Sequence, residues 1–276
     1  MAKQNTVALT SRDMEILTSL DRTPLTPKQL QVVSQSFQRP FANETLARRR
    51  LGRLRDAGFT RCFPYSLVSD GRAPKYWKPT PTGYRLLYGQ DSELPNRRYF
   101  NEVSVGNHFH THAIAELVSH LVACGSKHGI VMDRYMRENS LVLEANQHKV
   151  LPDGAFRLTR KHQPDRPYSF VLELDNGTER VRSTRDVESI ERKVRAYDAH
   201  QSQFKRDDPN RYLVLFVTTR SVTRLNYVLD SCAQLIRNQN RTLFLGATLE
   251  SLLACNAFEN PVLQSNNGLK RMLLPK

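Results

Sequence analysis

Three acids in the rear half of the sequence are spaced to do metal chemistry. Asp153 follows Pro152 near the start of a strand-like run, and Glu173 and Asp175 alternate with Leu172 and Leu174 on the next such run. A period of two puts Glu173 and Asp175 on one face of a strand. A hairpin across the polar stretch 161–166 would bring Asp153 to that pair from the neighbouring strand, so that three carboxylates converge. Hard divalent cations take oxygen ligands, and Mg²⁺ or Mn²⁺ held there would activate water and neutralise a phosphodiester in its transition state. A carboxylate at the tip of an apolar strand is costly unless paired or metal-bound, which favours a site over solvated strand ends.

The front half carries the opposite charge. Arg48, Arg49, Arg50, Arg53 and Arg55 fall within eight residues, distributed around the apolar stripe Leu46, Ala47, Leu51 and Leu54 of a helix expected from Asn43 to Gly58. Arg49 and Arg53 are one turn apart, so part of the cluster shares a face that could follow a phosphate backbone or enter a major groove. His108, His112, Glu116 and His120 recur every four residues on a later helix. That stripe could bind zinc or flank a metal site, but a solvated polar face is the favoured reading of the histidines.

The elements that would position these residues divide into two groups. Helices are signalled at Ser11-Arg12-Asp13, with Met14, Ile16, Leu17 and Leu20 on one stripe, and at Thr26-Pro27, where proline suits the first turn. The arginine-rich helix follows, then two strand-like runs, 59–63 and 75–78, around a polar turn at Ser69–Arg72, then a short helix from Pro79. From residue 107 the pattern alternates helix and strand in the order α-β-β-β-α-β-α-β-α, with strands near 130–132, 150–156, 168–175, 211–217 and 242–245. The polar, turn-rich stretch between the groups reads as a linker. The expected domains are therefore 8–89, a linker 90–106, a second domain 107–260 and a tail 261–276.

Composition limits the possible classes. The chain has 276 residues and a formal net charge of +14, with 17 Lys+Arg against 8 Asp+Glu in its first 100 residues and 24 against 19 in the rest. Such a front-loaded excess favours a polyanionic partner, because each neutralised phosphate releases condensed counterions. No apolar run approaches the roughly 18 to 20 residues of a membrane helix, and the first residues lack the apolar segment of a secretory signal, so the expected location is the cytoplasm, without a membrane partner. Four dispersed cysteines with no C-x-x-C pair indicate neither a zinc site nor a disulfide framework.

The order helix, helix, arginine-rich helix ending in L-R-D-A-G-F, hairpin and T-P-T-G-Y-R-L-L resembles the winged helix-turn-helix family over about 80 residues. The resemblance implies double-stranded DNA as partner, the third helix in the major groove, and Arg72 and Lys75 of the wing on the neighbouring backbone. The second half resembles the PD-(D/E)xK, or restriction-endonuclease-like, superfamily, with Pro152-Asp153 as the "PD" and Glu173 as the second acid. Asp175 stands where that motif wants lysine. Some members carry the lysine on the following helix, which here implicates Lys193, and Lys193-x-x-x-Tyr197 resembles a Gln-x-x-x-Tyr signature of one nuclease branch. Glu116 sits where junction resolvases of this fold place an extra acid near the metal.

Together these segments resemble the replication-relaxation family of bacterial mobile elements across nearly the whole chain. The expected fold is α/β (α+β), a winged helix followed by a restriction-endonuclease-like domain with a central mixed sheet. The implied role is plasmid relaxation, mobilisation or replication, with other mobilisation or replication proteins as partners and room for a homodimer. Two functions follow. One is a metal-dependent DNA endonuclease using Asp153, Glu173 and Lys193, with Asp175 or Glu116 as further ligands and Arg180, Arg182, Arg185 and Arg195 guiding DNA. The other is a non-catalytic DNA-binding regulator that uses a degenerate nuclease fold for assembly.

Overall fold

Two compact units, Met1–Ser126 and Lys127–Lys276, make up the chain. The computed structural model describes residues 8–67, 73–138, 140–145, 148–178, 181, 189–205 and 207–275. The turn holding Arg72, and Arg180, Arg182 and Arg185, lie outside the described residues.

In the first unit, helix α1 spans Ser11–Arg22, α2 Pro27–Val33 and α3 Glu44–Asp56. Each begins where its side chains satisfy otherwise orphaned N–H groups. Thr10 N and the Thr10 hydroxyl donate to Asp13 Oδ2 at 2.7 and 2.8 Å on α1, Thr26 and Gln29 form a reciprocal capping box on α2, and Asn43 Oδ1 accepts from Leu46 N at 3.0 Å on α3. The last turn of α3 closes through Gly58, whose φ of 84° is a conformation that favours glycine, and Phe59 N donates to Leu54 O at 2.8 Å. Strands β1 (Thr60–Pro64) and β2 (Lys75–Pro79) pair antiparallel, and Leu25 bridges to Trp77 beside them. Helix α4 (Pro81–Tyr88) packs so closely that a Cβ on Gly83 would lie 2.2 Å from Phe59 O. Ile16, Leu17, Leu30, Ala47, Leu51 and Leu54 are buried.

The stretch read as a linker is structured and tied to this core. Helix α5 (Arg97–Phe100) and a 3-10 turn at Val105–Asn107 lie within it. Lys78 Nζ donates to Asn101 O at 2.6 Å, Tyr99 OH to Asp21 Oδ1 at 2.8 Å, and Val103 N to the Tyr76 hydroxyl at 2.7 Å. Helix α6 (His108–Lys127) follows, and the boundary between units falls at its end rather than within 90–106.

The second unit is built on a seven-stranded mixed sheet of order β11-β10-β9-β8-β7-β6-β3. Its strands are β3 (Ile130–Arg137), β6 (Gly154–Arg160), β7 (Gln163–Asp175), β8 (Leu213–Thr218), β9 (Phe244–Thr248), β10 (Leu263–Ser265) and β11 (Lys270–Arg271). A separate small hairpin, β4 (Leu143–Ala145) with β5 (His148–Val150), precedes β6. Strands β3, β6 and β7 run antiparallel, whereas β7, β8 and β9 run parallel. Parallel neighbours require crossovers, supplied by α7 (Ile190–Gln201) and α8 (Val222–Leu235), while α9 (Leu249–Leu253) follows β9. Val171, Val214, Phe216, Ile190, Val194 and Leu229 share the core of this unit.

Two expectations are corrected here. The run 150–156 is broken, because Val150 closes β5 and β6 begins only at Gly154, which leaves Asp153 at a strand entrance. The segment 261–276 contains sheet structure rather than only a tail: β10 pairs with β9, and Asn266 Oδ1 accepts from both Leu243 N and Phe244 N at 2.9 Å. Its short strands carry too few alternating residues to announce themselves in sequence.

Candidate functional site

Strand register builds the acidic site. Gly154 pairs with Leu172, so Asp153 stands one step further, opposite Glu173. Asp153 N donates to Leu172 O at 3.1 Å, and Leu174 N donates to Asp153 Oδ2 at 2.7 Å, which fixes the carboxylate at the entrance of β6. Glu173 is 3% exposed and points toward α7. On that helix Ile190, Val194 and Tyr197 are buried, and Lys193, on the same side, extends Nζ to Glu173 Oε2 at 2.9 Å. The Tyr197 hydroxyl donates to Glu173 Oε1. The Lys193-x-x-x-Tyr197 spacing therefore places two donors one helical turn apart on one carboxylate.

Burial pushes the Glu173 carboxyl up to about 7; the Lys193 ammonium opposes this, and the charge of Asp153 adds to it. Burial together with Glu173 raises the Tyr197 hydroxyl well above its ordinary value, so it remains a donor.

Asp175 shares the strand face of Glu173 but belongs to a different cluster. Arg224 grips it in bidentate fashion, Nε to Oδ2 at 2.5 Å and the second nitrogen to Oδ1 at 2.7 Å, while Gly177 N and the Thr218 hydroxyl each donate at 2.9 Å. Burial alone would raise its pKa, but Arg224 and these donors hold it below the usual carboxylate range. The expected three-acid convergence is therefore reduced to the pair Asp153 and Glu173. Among the described residues no group of three or more His, Cys, Asp or Glu is arranged to hold a metal ion. Mg²⁺ commonly binds through one or two carboxylates with waters completing its shell, so the Asp153–Glu173 pair suits such an ion by donor type, whereas Asp175, gripped by Arg224, does not.

Glu116 lies on α6 in the first unit, with His112 Nε2 at 4.0 Å. Burial lowers the His112 pKa, which Glu116 partly offsets. The histidine stripe also divides. His108 is 1% exposed, with Nδ1 accepting from Ser66 N at 2.8 Å and Nε2 3.0 Å from Val103 O, the pattern of a core histidine rather than a solvated one. His120 instead approaches Cys124 Sγ at 3.5 Å.

Helix α3 sorts its arginines around the buried stripe. Arg50 turns inward to Asp13, which is fully buried, with Nε donating to Oδ1 at 2.6 Å and the second nitrogen to Oδ2. It holds α3 to the start of α1 and does not join an outward face. Arg49 and Arg53 are exposed on one flank. Arg48 and Arg55 lie on the other, beside a cavity of about 800 Å³ that Lys75 and Trp77 also line. There Arg48 pairs with Glu44, while Arg55 pairs with Asp56 at 2.8 Å and lies over the Trp77 ring.

Sequence reasoning missed Arg224. Nothing in the spacing links Arg224 to Asp175, because register and crossover bring the third residue of α8 to the end of β7.

The chain belongs to the replication-relaxation family, which matches residues 17–211. That span includes α3, Asp153, Glu173 and Lys193. Membership suggests a role in the replication or relaxation of plasmids or other mobile elements. No curated protein and no solved structure matched the chain.

Proposed function

We propose that this protein binds double-stranded DNA of a mobile element through a winged helix-turn-helix and nicks or cleaves it with a restriction-endonuclease-like domain. One observation carries the catalytic part: Lys193, on the helix after the acid-bearing strand, reaches Glu173 directly across from Asp153. The element order supports the rest. Three helices, a hairpin and the Leu25–Trp77 bridge suit a winged helix, and three antiparallel strands followed by a helix and a parallel strand suit the nuclease fold.

Asp153 and Glu173 would hold Mg²⁺ or Mn²⁺, which when bound offsets phosphate charge and acidifies water. Lys193 offers an ammonium to orient the attacking water or to stabilise the pentavalent phosphate. Tyr197 positions Glu173 from the opposite oxygen. Arg49 and Arg53 supply sequence-independent grip on the DNA.

A second reading is favoured by the saturation of the acids, because Lys193 and Tyr197 occupy Glu173 and Arg224 occupies Asp175. In that reading the domain serves assembly, alone or with mobilisation or replication proteins or a second copy of the chain, and never cleaves. Supercoiled plasmid incubated with Mg²⁺ or Mn²⁺ separates the two. Nicked or linear product from the wild type, falling at least ~100-fold in Asp153→Ala, is expected of a metal-dependent nuclease. DNA binding without product under either metal would leave the non-catalytic reading standing.

A further inference from the structure

We propose that a groove beside the first turn of α1 is a phosphate clamp for the backbone of one DNA strand, built by Arg12 and Arg39 together with Arg49 and Arg53. The groove measures about 380 Å³ and draws on three parts of the first unit: α1, the α2–α3 connection and the outer flank of α3. Arg50 also lines it, and no carboxylate is among its described lining residues. Asp13, adjacent to Arg12 in sequence, is fully buried and bound by Arg50.

Two features pre-shape the groove for an anion. The Arg12 guanidinium lies 5.0 Å from the centre of the Phe41 ring, which fixes its direction. Arg12 also stands at the second residue of α1, where the helix dipole favours negative charge and disfavours a cation. Like charges lining one groove repel, and an entering polyanion relieves that repulsion. Arg39, Arg49 and Arg53 are exposed, so the groove continues onto the open face of α3. An open, multi-element surface suits a run of backbone phosphates better than a small free polyphosphate, which shares the same oxygen chemistry.

The inference rests on the DNA-binding reading and adds Arg12 and Arg39 to it. Its test is the salt dependence of duplex binding by the full chain. The variants are the Arg12→Gln/Arg39→Gln double, the Arg12→Lys/Arg39→Lys double and the exposed control Arg271→Gln, all compared for melting temperature. The glutamine double is expected to lose affinity about 10-fold and to lower the slope of log affinity against log salt by about 2, while the lysine double keeps the slope. A glutamine double that matches Arg271→Gln, while the wild type binds duplex, overturns the clamp but not DNA binding. A wild type that binds no duplex at low salt overturns both. Sodium triphosphate supplies the last arm: if the glutamine double loses triphosphate binding yet keeps the wild-type DNA slope, the groove serves a free polyphosphate and the clamp is refuted.

Discussion

The arginines around α3 and the acids of β6 and β7 are both dense charge clusters, and the fold treats them in opposite ways. Arg49 and Arg53 stand at the surface, where their attraction to a polyanion is long-ranged and screened by salt. Glu173 and Asp175 sit within a sheet, where each needs a partner of its own because an unpaired buried charge is costly. The difference appears within single clusters as well. Arg50 is three residues from Arg53, yet it is bound to a buried aspartate, and Asp175 is two residues from Glu173 but answers to another helix. Placement relative to the core, more than residue type, decides whether a charge serves folding or recognition.

The sharpest break in this contrast is Asp175→Ala, which strands the Arg224 guanidinium. It should cost about 3 kcal/mol in denaturant unfolding. A loss below about 1 kcal/mol would show that water screens this pair as it screens surface pairs. Arg50→Ala orphans Asp13 and should cost about 2 kcal/mol. Arg53→Ala should change stability by no more than about 0.5 kcal/mol while weakening duplex binding.

The two buried acids also differ in pH response. Glu173 has its folded-state pKa raised from 4.5 to about 7, so the native state binds its proton more tightly than the unfolded chain does. Stability should therefore fall as pH rises through that window, by on the order of 2 kcal/mol, and Glu173→Gln should flatten the profile measured in urea between pH 5 and 8. Asp175, with its pKa held below 3.8, contributes stability that is present above that value and lost as pH falls through its folded pKa. A small effect is likewise expected of Arg48→Ala. Its pair with Glu44 is exposed, and thermal unfolding should register about 0.3–0.5 kcal/mol.

Much of the local structure was legible in the sequence. The start of α1 was signalled at Ser11-Arg12-Asp13, and the starts of α2 and α3 follow from Thr26 and Asn43, whose side chains accept from helix N–H groups three residues on. The meeting of Asp153 with Glu173 was expected from a hairpin between their strands, whereas Lys193 and Tyr197 were singled out only by resemblance to a nuclease signature. The linker reading failed at 96–103 because bonds from Lys78, Tyr76 and Asp21, all distant in sequence, order a stretch whose own composition is turn-like. The tail reading failed for a similar reason: β10 exists by pairing with β9.

What the chain's residue order determined by itself was its short-range geometry: where helices begin, which strand residues share a side, and an excess of positive charge at the front. Tertiary structure decided which charges remained available. Arg50 was drawn to Asp13 and Asp175 to Arg224 because partners far apart in sequence met only when helices and strands packed. Spacing along a chain sets direction, but desolvation sets the need for a partner, and desolvation is a property of the packed molecule.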